Sequence, residues 1–269
     1  MRLIDQGSGP PVVLVPGIQG RWEWMRPAVD ALAKRCRVIT FSLADEPTCG
    51  GRFDEATGFW CYVEQIAEAM DASGLEQATI CGVSYGGLIA AAFAARHPDR
   101  VSALALVSAI PPSWRPNPRV RSLIRAPRLL TPLFLVGSLR MCPEIIAARG
   151  GWIAGLLYSA VHGMRALANI FSPTLMARRV RLVEPLNLEA DIRGIDRPTL
   201  VVTGEPGLDQ VVPVQMTREY LQLLPQAKSA TIPRTGHLGL VTRSEVFADL
   251  IADFAGHTVR EGDRRRRVG

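Results

Sequence analysis

The chain has 269 residues, 48% hydrophobic and 21% charged, with a formal net charge of +6. That length and balance give one large globular domain, or a domain carrying an insertion, and exclude a fibrous or wholly disordered chain. No apolar run approaches the roughly 20 residues of a membrane span, and "MRLIDQGSGPPVVLVPG" lacks the order of a secretory signal, so the cytoplasm is the expected location.

In chain order, apolar strand-like runs appear as "VVLVP" at 12–16, "RVITFSL" at 37–43, "ATICGV" at 78–83, "VSALALVSA" at 101–109, "PTLVVTG" at 198–204 and "AKSATIP" at 227–233. Continuous apolar strands alternating with helices predict an α/β fold, a mostly parallel sheet covered on both faces. Amphipathic spacing predicts helices in "EQIAEAMDASG" and "SEVFADLIADFAG", with Gly74 and Gly256 as C-terminal caps and His97-Pro98 as a stop. Between Pro111 and Pro185 the alternation ceases. Residues 112–183 carry 11 Arg against one acid, Glu144, a net of +10, and 258–269 carry a net of +3, which leaves −7 on the remainder. The expected organisation is therefore a discontinuous acidic body (1–111 and 186–257), a basic insertion (112–185) and a basic, disordered tail (258–269). Cys36, Cys49, Cys61, Cys81 and Cys142 have no paired ligand spacing and read as reduced thiols.

Gly82-Val83-Ser84-Tyr85-Gly86 lies where a buried strand meets a helix, the setting of a nucleophile elbow. So tight a turn strains the serine, and side chains at Gly82 and Gly86 would collide with it. A serine hydroxyl needs a base, itself oriented by a carboxylate. Of four histidines, His97 and His257 end helices, and His162 lies in the insertion without an orienting acid. His237, in "IPRTGHLGLVTRSE" after the last strand, suits a base at the sheet edge. The acid belongs after the strand ending near Thr203, where Asp209 is favoured over Glu205, which sits too close to the strand end. Backbone N–H donors for an oxyanion are expected from Tyr85 and from Ile18, which follows Gly17 in "VPGIQGRW".

The stretches "GSGPPVVLVPG", "CGVSYGG", "HPDRVSALALVSA", "DIRGIDRPTLVVTGE", "LDQVVP" and "TGHLGLV" occur in the order found in the α/β-hydrolase superfamily. The chain resembles a serine-nucleophile, esterase- or lipase-like member with a helical cap inserted after the sixth strand. One departure is Pro16-Gly17 where that family usually has His-Gly, which affects the hydrogen bonding of the oxyanion loop. The resemblance implies an acyl-enzyme on Ser84, His237 as base and Asp209 as orienting acid, with no cofactor and no metal, acting on an apolar ester. Thioester hydrolysis, acyl transfer and carbon–carbon bond hydrolysis are the alternatives on this triad, and a non-catalytic ligand sensor is the alternative of another class. Phe134, Trp152 and Tyr158 are candidates for the substrate pocket. The clusters Arg119, Arg121, Arg125, Arg128 and Arg178, Arg179, Arg181 would lie on its rim, with weak contact to an anionic lipid surface as one use. Nothing in the pattern suggests nucleic-acid binding.

Overall fold

All six apolar runs become parallel strands of one seven-stranded sheet in the computed structural model, which describes residues 1–129, 132, 139–151 and 172–268, the last ten of these by backbone alone. The strands are β1 (Leu3–Gln6), β2 (Pro11–Val15), β3 (Arg37–Phe41), β4 (Ala78–Val83), β5 (Val101–Val107), β6 (Thr199–Thr203) and β7 (Lys228–Thr231), in the spatial order β1-β3-β2-β4-β5-β6-β7. Only β1, absent from the sequence expectation, runs antiparallel, pairing Leu3 with Phe41 at the edge. Every residue of β4 is buried, because helices cover both faces of the sheet and leave no side of that strand for polar residues.

On one face, α1 (Arg26–Leu32) and α11 (Ser244–Val268) pack over Val12, Leu14 and Val38 through Leu32 and Phe247. On the other, α2 (Phe59–Ala72) and α3 (Tyr85–Arg96) cover Val13, Ile39 and Phe41. The small residues of α3 let it sit almost on β4: a Cβ built at Gly82 would stand 2.6 Å from the Gly87 Cα and 2.7 Å from the Ala90 Cβ.

Between β5 and β6 lie α4 (Pro118–Arg125), α5 (Cys142–Arg149) and α6 (Pro173–Val183), followed by α7 (Glu189–Arg193) at the return to the sheet. The inserted segment thus follows β5 of this chain. Gly74 ends its helix at φ +65°, but Gly256 lies inside α11, which continues through the expected disordered tail to Val268. Phe134, Trp152, Tyr158 and His162 lie outside the described residues. No helix among the described residues is long and apolar enough to cross a membrane.

Candidate active site

The loops that leave the C-terminal ends of β2, β4, β6 and β7 converge, which is where open parallel sheets place ligands. Ser84 leaves β4 with φ 54° and ψ −118°, a conformation that costs an L-residue about 1–3 kcal/mol. Local hydrogen bonds hold it there. The Ser84 N–H donates to the Val107 carbonyl at 2.9 Å, and the Ser84 carbonyl accepts from Gly87 at 3.0 Å and Ile110 at 3.2 Å. The elbow glycines answer to close approach. A Cβ at Gly82 would lie 2.3 Å from the Gly86 carbonyl oxygen, and one at Gly86 would lie 2.4 Å from the Pro16 carbonyl oxygen. At Gly86 the obstacle is the loop after β2, and the serine turn itself is not what the glycine avoids.

That loop closes as a turn, with the Gly20 N–H donating to the Gly17 carbonyl at 2.9 Å. A Cβ at Gly17 would come 3.4 Å from the Ser84 Cβ, so Ile18 begins beside that serine. Tyr85 is the first residue of α3, where N–H groups have no intrahelical acceptor and the helix dipole is positive.

His237 follows β7, in a loop that lies against the loop after β6. A Cβ at Gly236 would stand 2.4 Å from the Leu208 carbonyl and 2.5 Å from the Asp209 nitrogen, so only glycine lets the two loops touch. There the His237 Nδ1 meets the Asp209 Oδ2 at 3.1 Å. The other oxygen, Oδ1, accepts from the Val211 N–H at 3.0 Å and the Val212 N–H at 2.8 Å, which fixes the carboxylate. Glu205 instead accepts from the Arg234 N–H at 2.7 Å, in the turn where Arg234 has φ 58°. Its task is the shape of the histidine loop. His97 caps α3, stacks on Phe93 and reaches Glu64 at 3.4 Å, while His257 lies exposed on α11.

Burial opposes the His237 imidazolium, but the charge and hydrogen bond of Asp209, with Glu144 adding to them, outweigh it and lift the pKa above the ordinary histidine value. A base must be neutral to accept a proton, so activity should rise with pH to a midpoint above 6.5 in a kcat profile.

Sequence reasoning passed over Glu144. It is fully buried on α5, and its Oε1 accepts the backbone N–H of Leu238, next to His237. Burial pushes its carboxyl up to about 7, against the pull of the Gly236 and Leu238 N–H groups and of His237, while Asp209 pushes the same way as burial. The folded protein therefore holds a proton that the unfolded chain, near its ordinary 4.5, has released. Stability from this group is complete below pH 4.5 and is lost as the pH climbs towards 7. Glu144→Gln should flatten that fall in a series of melting temperatures.

A cavity of about 260 Å³ opens over Ser84, Tyr85 and Ile18, with walls that include Trp114, Met176 and Val212. Its described lining is apolar apart from Ser84, Tyr85 and Asn117, whose Oδ1 accepts the Val120 N–H to cap α4. A wider, open depression around Asp71, Gln77 and Arg100 lies at the N-terminal ends of β4 and β5, away from these loops. No group of His, Cys, Asp or Glu side chains among the described residues is placed to hold a metal.

The arginines of the insertion do not form one rim. Arg179 is fully buried; Arg121 pairs with Glu184 at 3.1 Å, Arg178 pairs with Glu55 at 2.7 Å, and Arg181 donates to the Ile124 carbonyl. Arg119, Arg125 and Arg128 are exposed.

Comparison with known proteins agrees with this fold. The family model of the alpha/beta hydrolase fold matches residues 10–127. The 2-hydroxymuconate semialdehyde hydrolase of Pseudomonas sp. (strain CF600) is 29% identical, over 94% of this chain and 89% of its own. A provisionally named carbamate hydrolase, RutD, of Caulobacter sp. (strain K31) is 25% identical over 90% of this chain and 89% of its own. Among solved structures, the enol-lactonase of Burkholderia xenovorans LB400 superposes with a TM-score of 0.73 at 21% identity, covering 94% of this chain and 95% of that one, a likeness of fold. Sheet order and the family model over residues 10–127 together give the chain the α/β-hydrolase fold.

Proposed function

We propose that the protein is a serine hydrolase that cleaves apolar carboxylic esters through an acyl-enzyme. Ser84 Oγ attacks the ester carbonyl while His237 takes its proton, and the carbonyl oxygen becomes an oxyanion held by the Ile18 and Tyr85 N–H groups. Collapse expels the alcohol, which receives the proton from His237. Water, deprotonated by the same imidazole, then attacks the acyl-enzyme and releases the acid. Asp209 keeps the imidazole in the tautomer that carries its proton on Nδ1 and stabilises the imidazolium.

The observation that carries this reading is the strained Ser84 backbone at the floor of an apolar cavity, with the hydrogen-bonded His237–Asp209 pair on neighbouring loops. The described cavity wall bears no charged side chain, which favours an uncharged acyl group. A panel of aryl and glyceryl esters from acetyl to palmitoyl, with a thioester, a carbamate and a vinylogous 1,5-diketone acid, tests it. Esters should turn over with the highest kcat/KM. Preference for the thioester or the diketone acid would transfer the same triad to the other reaction, and a stable stoichiometric adduct without release would make the protein a sensor.

A further inference from the structure

We propose that Arg179, from the inserted segment, is the positioning residue of the oxyanion loop. This rests on the reading of the Ile18 N–H as an oxyanion donor. The side chain is fully buried and spends its planar fork in three directions. Nη1 donates to the Ile18 carbonyl at 2.7 Å, Nε and Nη2 reach the Asp45 Oδ1 at 3.1 and 2.5 Å, and Nη2 reaches the Glu46 Oε1 at 2.7 Å. Asp45 and Glu46 follow β3 in the body, so two body carboxylates fix the guanidinium and the guanidinium fixes the loop.

Gly20 accommodates it. A Cβ there would stand 2.4 Å from Cζ and from both terminal nitrogens, so the guanidinium lies against bare backbone at a residue with φ +76°.

The peptide plane explains why the Ile18 carbonyl matters. A trans peptide directs its N–H opposite its C=O. The Gly17 carbonyl accepts from Gly20, which orients the plane containing the Ile18 N–H, and Arg179 orients the next plane through the Ile18 carbonyl. With both planes held, the N–H beside Ser84 has one direction. The backbone carbonyl of Arg179 also accepts the Tyr85 hydroxyl at 3.3 Å, so one residue touches both residues whose N–H groups are the proposed donors.

Arg179→Lys keeps a positive charge near Asp45 and Glu46 but has no fork to reach Ile18 as well. The triple variant Arg179→Met, Asp45→Asn, Glu46→Gln removes the charges together, which avoids leaving buried carboxylates unpaired. Each is compared with the parent protein on an aryl ester and on its thionoester, whose developing thiolate gains little from N–H donors. The ratio of the two kcat/KM values does not depend on the fraction of folded enzyme, so it reads the oxyanion donors even in a weakened variant. Loss of one donor costs about a hundred- to a thousand-fold, and a misdirected donor should lower the ratio by about ten-fold or more, mainly through kcat, with the pH midpoint unchanged. An unchanged ratio in both variants would overturn the proposal and make Arg179 a structural ion pair only. Lack of any oxyester preference in the parent protein would instead refute the reading of the Ile18 N–H as an oxyanion donor, on which it rests.

Discussion

Ser84→Ala should lower kcat by about a million-fold, the loss seen when serine hydrolases lose their nucleophile. Fold should survive, because the strained φ of 54° is held by backbone hydrogen bonds to Val107, Gly87 and Ile110 that alanine keeps. The melting temperature is thus the control that separates chemistry from stability. A fluorophosphonate should label the parent protein on the peptide containing Ser84 and leave the variant unlabelled. If the variant keeps a tenth of the parent activity, the nucleophile lies elsewhere.

Asp209→Asn should reduce kcat about ten-thousand-fold. Asparagine retains an oxygen that can accept from Val211 and Val212, so the loop keeps its shape. Its amide nitrogen then faces Nδ1, favours the tautomer with the proton on Nε2, and leaves no lone pair there to accept the serine proton. Glu205→Gln should change kcat little, since an amide oxygen still accepts the Arg234 N–H. Steady-state kinetics of the two variants side by side would decide the matter, and the reverse order would assign the role to Glu205.

The parallel strands were legible because strands buried on both faces must be continuously apolar, as in "ATICGV". The four residues of β1 escaped because an edge strand that is half-buried carries no such signature. Asp209 was separable from Glu205 by its distance from the strand end, which is set by chain length alone. Gly256 misled because glycine after an amphipathic run is a common stop, yet the helix here continues past it. In the sequence Glu144 counted only as bulk charge, and Arg179 as one of an arginine cluster on the pocket rim. Arg179 meets Asp45 across 134 residues, and Glu144 meets Leu238 across 94, and no periodicity reports contacts at that separation. Linear spacing finds a serine in its own tight turn; it does not find a charge delivered from another part of the chain.

The buried cluster of Arg179, Asp45 and Glu46 limits how this scaffold can be recombined. The segment between β5 and β6 looks like a cassette, and exchanging it with that of another hydrolase is an obvious route to new specificity. A donor segment without an arginine at this place would strand two carboxylates in the interior, at about 3–5 kcal/mol for a broken buried pair, and would free the loop that carries Ile18. A workable chimera must therefore carry residues 45 and 46 across with the cassette, and in natural lineages these three positions should change together.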